Sequence, residues 1–192
     1  IAAGELHALI GPNGAGKTTV LNQLSGDLIP DSGRIIFGGK DITRLPVHKR
    51  ARLGLARSYQ ITSVFEQLTV EQNLSLAIQA HCGHSFRFWK KAGTDPFLRD
   101  AVAPTMEFMG LTERAGALAG NLSHGEKRQL EVGMALAGNP KMLLLDEPPA
   151  GITPTLINGL IERLKRTNAD LGITLFVIEH NMRAIMNLAE HI

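Results

Sequence analysis

The chain has 192 residues, of which 44% are hydrophobic and 20% charged, and its formal net charge at pH 7 is +2. This length fits one domain with a sizeable core, and so small a net charge does not by itself indicate a nucleic-acid partner. A single cysteine, Cys82, excludes an internal disulfide framework and is typical of a reducing compartment. No apolar run approaches the roughly 20 residues that a membrane-spanning helix needs.

The first predicted elements are short. Leu6–Ile10 is a strand candidate, followed by a loop of Gly, Pro and Asn residues and by a helix over about Lys17–Ser25. Turn residues on both sides of Arg34–Phe37 predict a short antiparallel strand there. A helix is expected over Pro46–Leu53, after which Leu55–Gln60 can return as a strand.

The middle of the chain has a mostly helical pattern. Thr69-Val-Glu-Gln72 has the spacing of a capping box, and it opens a helix whose buried stripe contains Val70, Leu74 and Ala77 or Ile78. Residues 81–96 are the least regular part of this region. The periodicity therefore predicts a block of helices between the elements at the two ends.

Two continuous apolar runs, Met142–Leu145 and Ile173–Ile178, predict strands that are buried on both faces of a parallel sheet. Pro154, between them, is placed as the first residue of a helix. Strands that alternate with helices at both ends, with a helical block between, predict an α/β core with an inserted helical subdomain.

The boundaries expected from this pattern define a single domain over 1–192. Its α/β core comprises residues 1–60 and 139–192, and its helical subdomain covers about 61–138. The first strand begins almost at once and the last residues still have a helical pattern, so we expect a domain that is cut at both ends.

Residues 11–18 match the pattern G-x-x-x-x-G-K-[ST] between a predicted strand and a predicted helix, the context that a phosphate-binding loop requires. Its glycines allow backbone amides to turn towards phosphates, and the following helix N-terminus adds partial positive charge. Lys17 can reach the β- and γ-phosphates, and the Thr18 hydroxyl can ligate Mg²⁺. The predicted ATP contacts in this loop are Gly11, Pro12, Asn13, Gly14, Ala15, Gly16, Lys17, Thr18 and Thr19. Kinases, GTPases and motor ATPases share the loop, so it predicts nucleotide binding but no particular reaction.

Two carboxylates, Asp146 and Glu147, follow the apolar run that starts at Met142. Ligands of open α/β sheets bind at the carboxyl edge of the strands, where these two side chains are expected. Asp146 suits Mg²⁺, directly or through water, and Glu147 is placed to orient or deprotonate an attacking water. The alternative is a strand that simply becomes polar as it reaches solvent, and the upstream phosphate loop favours the functional interpretation.

Ser123 and Glu126 have the spacing of a second capping box, which is compatible with a simple helix start. With Gly125, the same geometry presents amides and a hydroxyl to an anion. Leu122-Ser-His-Gly-Glu126, followed by Lys127–Glu131, resembles the signature motif of the ABC ATPase family. The resemblance implies an α/β fold of the P-loop NTPase type, with a small antiparallel β portion near the N-terminus.

The resemblance also implies a head-to-tail dimer, because in that family the signature of one subunit closes over the γ-phosphate held by the other. Ser123 and Gly125 are then ATP contacts in trans. Gln60 matches the Q-loop glutamine, a Mg²⁺ ligand beside Thr18 and Asp146. His180 matches the switch histidine, which contacts the γ-phosphate. We therefore expect Glu147, His180 and Gln60 to act in catalysis.

Three features depart from the family pattern. His124 and Glu126 stand where glycine and glutamine are most common, and Thr153, in Ala150-Gly-Ile-Thr-Pro154, stands where aspartate is usual. Thr153 still suits a helix N-cap before the proline, but the carboxylate used across the dimer interface is missing. The aromatic residue that stacks on adenine precedes the phosphate loop in this family, and no residue of this chain is assigned to that role.

Within the family, the chain resembles importer ATPases for branched-chain and other hydrophobic amino acids, on Arg57–Gln60, Glu66–Asn73 and Leu143–Gly151. This implies ATP and Mg²⁺ as cofactors, a second identical or different ATPase subunit, membrane permease subunits and, indirectly, a periplasmic or extracellular solute-binding protein, with no nucleic acid. It places the chain at the cytoplasmic face of the cell membrane. Urea importers, the lipopolysaccharide-export ATPase and soluble ABC proteins of ribosomes or DNA remain alternatives. A P-loop phosphotransferase is a further alternative, but it leaves the signature-like segment unexplained.

Two other segments have weaker interpretations. His81-Cys-Gly-His84 offers three potential metal ligands, but without a second pair they are more simply loop residues. Phe86–Lys91 mixes aromatic and basic residues as a membrane-surface or partner-binding stretch does, and a solvated helix with its aromatics turned inward fits equally.

Overall fold

The protein is described from a computed structural model, in which residues 1–58, 64–82, 96–148 and 154–179 are described. These ranges contain six strands and six α-helices. In chain order they are β1 (Leu6–Leu9), α1 (Lys17–Ser25), β2 (Ile36–Phe37), β3 (Lys40–Asp41), α2 (Val47–Arg52), β4 (Leu55–Ser58), α3 (Val70–Cys82), α4 (Pro96–Met109), α5 (His124–Leu136), β5 (Met142–Asp146), α6 (Pro154–Leu171) and β6 (Thr174–Ile178). Single 3₁₀ turns lie at Thr112–Arg114 and Ala119–Asn121.

The elements predicted from the sequence are confirmed within these ranges, with one shortened. The strand expected over Arg34–Phe37 is reduced to the two residues of β2, which pair antiparallel with β3. The turn residues on both sides predict an antiparallel strand correctly, but Ile35 donates its N–H to the Thr43 hydroxyl instead of to a neighbouring strand. Both capping boxes form. At α3 the Thr69 hydroxyl accepts the Gln72 N–H at 3.2 Å, and the Gln72 side chain accepts the Thr69 N–H at 2.9 Å.

The described residues divide into two compact units. The first comprises residues 1–58, 140–148 and 165–179, and the second comprises residues 64–82, 96–139 and 154–164. The division predicted from the sequence, a core over 1–60 and 139–192 and a helical subdomain over about 61–138, stays a prediction.

The first unit contains a four-stranded parallel sheet in the order β1-β6-β5-β4. The residues of β5 and β6 are all buried, as their continuous apolar runs predicted. Its core contains residues from α1, the sheet and the loop after β3, namely Leu21, Ile42, Leu55, Met142, Leu144, Phe176 and Ile178. Because all four strands are parallel, their carboxyl ends share one edge.

The second unit is built mainly from α3, α4 and α5, which pack on one another. Val70, Leu74 and Ile78 of α3 are among its buried apolar side chains. Gly133 of α5 permits this close packing, because a Cβ at that position meets the side chains of Met109 and Leu74 at 3.2 and 3.3 Å. In the described part of the chain, no helix combines the length and apolar character that crossing a membrane requires.

Candidate functional site

The loop between β1 and α1 has a backbone that only glycine adopts easily. Gly14 and Gly16 have φ values of 82° and 86°, in the left-handed region that costs other residues free energy. A Cβ at either position meets no atom within 4 Å, so these glycines are required by backbone conformation and not by lack of space. Residues 12–15 of the loop are exposed, as is Thr18. The loop therefore presents its backbone to solvent.

Lys17 is the first residue of α1 and is only 9% exposed. Its ammonium donates to the carbonyls of Gly11 at 2.8 Å and Pro12 at 3.0 Å, which holds the cation over the start of the loop. The N-terminus of α1 has Gly16 as its N-cap, with no side-chain cap. A helix N-terminus without a side-chain acceptor, next to a held cation, is suited to an anion such as phosphate.

The carboxyl ends of three strands meet beside this loop. Leu9 of β1 is paired with Ile178 of β6, and Ile178 is paired with Asp146 of β5. Neighbouring strands are about 4.8 Å apart, so Asp146 lies about 10 Å from the strand that feeds the phosphate loop. The strand order thus brings the predicted acidic strand end to the same edge as the loop.

Asp146 is buried, with 3% of its surface exposed. A strand that merely becomes polar as it reaches solvent does not bury its carboxylate, because desolvating a charge costs free energy unless a partner compensates. Arg57 of β4 provides such a partner, with its Nη2 3.7 Å from Asp146 Oδ2. The buried acid at this edge is therefore a specific feature of the site.

Glu147 has a φ of 45°, an uncommon conformation for a residue other than glycine. Its N–H donates to the Ile178 carbonyl at 2.9 Å, so the pairing of the sheet continues through the strained residue. Strain of this kind is found disproportionately at functional sites. Glu147 is half-buried at the carboxyl end of β5.

The oxygen donors at this edge suit a hard divalent cation. Thr18 offers an exposed hydroxyl in the first turn of α1, and Asp146 offers a carboxylate. Hydroxyl and carboxylate oxygens, together with phosphate oxygens, are the ligands that Mg²⁺ prefers. The residues present therefore fit the metal that the phosphate loop implies.

The signature-like segment forms the N-terminus of α5 in the second unit. The Ser123 hydroxyl accepts the Glu126 N–H at 3.3 Å, and the Glu126 carboxylate accepts both the Ser123 N–H and its hydroxyl at 2.8 Å. Arg114 donates to the other carboxylate oxygen at 2.8 Å. The Ser123 amide and hydroxyl, with Arg114, hold the pKa of Glu126 below its ordinary value. Ser123 is exposed and Gly125 is buried within the first turn.

The segment before α3 is tied to the segment before α5 within the same unit. Gly120 donates its N–H to the Glu66 carbonyl at 2.9 Å, and Lys127 of α5 donates to the Glu66 carboxylate at 2.8 Å. This ion pair lowers the pKa of Glu66. A Cβ on Gly120 lies 3.1 Å from the Glu66 carbonyl oxygen, so a side chain there forces the two segments apart by a few tenths of an ångström.

Several predicted site residues lie outside the described residues, namely Gln60, His180, Thr153, His84 and the stretch Phe86–Lys91. His81 and Cys82 are placed in the last turn of α3, so the expectation that they are loop residues is wrong. The helix α3 includes these two residues because no glycine or proline interrupts it before Gly83. Within the described ranges, no group of three His, Cys, Asp or Glu residues is arranged to hold a metal ion.

Two arginines of these sites, Arg57 and Arg114, are not predicted from the sequence. Arg57 is the first residue of the segment Arg57–Gln60, and its side chain is 7% exposed and contacts a predicted metal ligand. A charged residue in a short strand, shortly before a predicted site glutamine, was the available signal. Arg114 lies in an ordinary polar stretch and offered none.

A phosphate loop and a buried acid at the carboxyl edge of a parallel sheet define a P-loop nucleotide-binding protein. The family model described as ABC transporter matches residues 1–150. The chain belongs to this family and is an ABC-type ATPase, which confirms the predicted fold class and enzyme class.

The curated relatives are similar over nearly the whole chain. The high-affinity branched-chain amino acid transport ATP-binding protein BraF of Pseudomonas aeruginosa is 36% identical over 193 residues, which cover 98% of this chain and 76% of the relative. The corresponding protein LivG of Escherichia coli K12 is 35% identical, with 98% and 76% covered.

Solved structures agree with this family. A nucleotide-free ATP-binding cassette from an ABC transporter has a TM-score of 0.84 and 30% identity, covering 99% of this chain and 76% of that one. The ADP conformation of an ATP-binding cassette of an ABC transporter has a TM-score of 0.83 and 32% identity, with 98% and 75% covered.

Proposed function

We propose that the chain is the ATP-hydrolysing subunit of a transporter for branched-chain or other hydrophobic amino acids. The observation that carries the proposal is the phosphate loop beside a buried acid, Asp146, and a strained acid, Glu147, at one sheet edge. The solute class rests on the relatives, which are branched-chain amino acid transport ATP-binding proteins at 35–36% identity.

The proposed site divides its roles among several residues, of which Gln60 and His180 lie outside the described ranges. Residues 11–19 hold the phosphates through backbone amides and Lys17. Thr18, Gln60 and Asp146 would hold Mg²⁺, which would neutralise the negative charge that develops on the phosphates during hydrolysis. Glu147 orients the attacking water and accepts its proton, and His180 donates to the γ-phosphate.

The site is completed by a second copy or a homologous subunit. Ser123 and Gly125 of that subunit contact the γ-phosphate from the far side, in a head-to-tail dimer with two composite sites. The dimer works at the cytoplasmic face of the membrane beneath permease subunits, and a solute-binding protein delivers the amino acid from the other side. We also propose that the chain is a single ABC ATPase domain, with its α/β core over 1–60 and 139–192 and its helical subdomain over about 61–138.

Glu147→Gln is the first test of the catalytic assignment. Removing a general base lowers turnover by about 10²- to 10⁴-fold, while ATP binding remains and promotes dimerisation. Glu162→Gln, a matched change at an exposed residue of α6, should leave turnover unchanged. Turnover is measured by phosphate release and dimerisation by light scattering with and without ATP. Unchanged turnover in Glu147→Gln, or no ATP-promoted dimer, contradicts the assignment.

A second test concerns the partner and the solute. The full-length protein is recovered from detergent-solubilised membranes, and the permease that accompanies it is reconstituted in proteoliposomes with its solute-binding protein. ATP-dependent accumulation of labelled leucine supports the proposal, and accumulation of urea assigns the chain to the related alternative. Recovery of ribosomes or DNA in place of a permease refutes the transport role.

A further inference from the structure

Arg57 lies where the sheet, α1 and the metal-binding edge meet. The parallel register places Arg57 of β4 opposite Leu144 of β5. Residues two apart on a strand share a face of the sheet, so Asp146 lies on the same face as Leu144 and Arg57. Leu21 of α1 packs in the core with Leu144, which puts α1 over that face. A buried guanidinium on this face is therefore close to both α1 and Asp146.

The two terminal nitrogens of Arg57 have different partners. Nη1 donates to the Asn22 side-chain oxygen at 2.7 Å, to the Ser25 hydroxyl at 2.9 Å and to Asp27 Oδ2 at 2.9 Å. Nη2 lies 3.7 Å from Asp146 Oδ2, within ion-pair distance but beyond a good hydrogen bond. Hydrogen bonds at the end of α1 therefore hold the guanidinium in place, and its ion pair with Asp146 is weaker because the distance is longer.

We propose that Arg57 is a positioning residue that sets the affinity of the nucleotide site for Mg²⁺, by competing with the metal for the Asp146 carboxylate. The inference rests on the proposed function, in which Asp146 takes the metal. A carboxylate interacts less strongly with an incoming cation when a guanidinium already neutralises it. The anchors on α1 limit this competition because they draw Arg57 away from Asp146.

This arrangement predicts changes of opposite sign in two variants. Arg57→Met keeps much of the side-chain length but removes the positive charge. The site should then bind Mg²⁺ about tenfold more tightly, which is the effect of a neighbouring charge that changes a pKa by about 1. Asn22→Ala removes an anchor without changing any charge. The guanidinium is then freer to approach Asp146, and Mg²⁺ affinity should fall by roughly two- to threefold. Arg52→Met is the matched control, since it removes one exposed cation of α2.

The measurement is the ratio of the dissociation constants of a fluorescent ADP analogue in EDTA and in Mg²⁺, which reports the coupling between nucleotide and metal without turnover. A wild-type ratio of about 1 means that the metal takes no part, and the proposed metal site fails. With a larger wild-type ratio, the inference predicts an increase in Arg57→Met and no change beyond about twofold in Arg52→Met. An unchanged or smaller ratio in Arg57→Met overturns the inference, because a merely structural role of Arg57 predicts that its loss weakens the metal site.

Circular dichroism checks that each variant is folded. If Arg57→Met does not fold, Asn22→Ala decides, since a smaller ratio supports the inference and an unchanged or larger one overturns it.

Discussion

Arg50 is the strongest single-residue test of how the first unit is held together. It lies in α2 and is 1% exposed, and its guanidinium donates to four backbone carbonyls. They are those of Leu45 at 2.8 Å, Gln23 at 2.6 Å, Leu24 at 2.8 Å and Thr43 at 2.9 Å. Two of these belong to the last turn of α1, whose carbonyls have no partner within the helix. Arg50 therefore caps α1 from a different helix.

Arg50→Met should destabilise the protein by about 3–5 kcal/mol. A hydrogen bond to a charged group contributes about 1.5–3 kcal/mol, but bonds that share one side chain are not additive. The methionine also retains the apolar contacts of the stem. The expected loss is close to that for breaking a buried charged network, and it is a large fraction of the 5–15 kcal/mol typical of total stability.

Urea unfolding followed by circular dichroism measures this loss. With a slope of about 2–3 kcal/mol per M, the midpoint should fall by roughly 1–2.5 M. Arg52→Met on the same helix is exposed and should change stability by less than about 0.5 kcal/mol. An Arg50→Met midpoint equal to that of Arg52→Met refutes the reasoning, because it means that the four carbonyls find water or other donors without cost.

Three further predictions concern the second unit and the phosphate loop. The lowered pKa of Glu126 means that its contribution to stability is present above the ordinary value of 4.5 and is lost as pH falls through the lowered pKa. Glu126→Gln should therefore lower the free energy of unfolding by about 0.5–1 kcal/mol at pH 7 after screening and leave it unchanged in strong acid. The melting temperatures of the variant and the wild type are compared as a function of pH, and a difference that does not change with pH contradicts the prediction. Asn73 is fully buried, donates to three carbonyls and accepts the Phe65 N–H. Asn73→Asp should lower the free energy of unfolding by about 3–5 kcal/mol, because it replaces the donor with a buried charge. A loss below about 1 kcal/mol in urea unfolding argues against this. Gly16→Ala should cost about 1 kcal/mol without nucleotide because of its φ of 86°, and Gly16→Asn should cost less; equal stabilities of Gly16→Ala and the wild type refute the backbone argument.

The sequence alone determined the features that depend on neighbours along the chain. The Thr69–Gln72 and Ser123–Glu126 capping boxes span three residues each, and both form as predicted. The glycines of the phosphate loop likewise predict a backbone that turns its amides towards phosphates, and Gly14 and Gly16 adopt the left-handed conformation that suits such a turn. The apolar run from Met142 predicted a buried strand since its length and composition leave no polar face.

Only the tertiary structure decided which of these elements lie together. The order β1-β6-β5-β4 places Asp146 at the edge that holds the phosphate loop, and nothing in the local pattern of β5 encodes that order. Arg57 contacts Asn22, 35 residues away, and Arg50 caps a helix end 27 residues away. In sequence both arginines look like surface charges, because burial and partners at such distances are set by the packing of whole elements. The physical reason is that secondary structure follows from short-range periodicity, whereas a buried charge is stable only where distant backbone carbonyls and carboxylates converge on it.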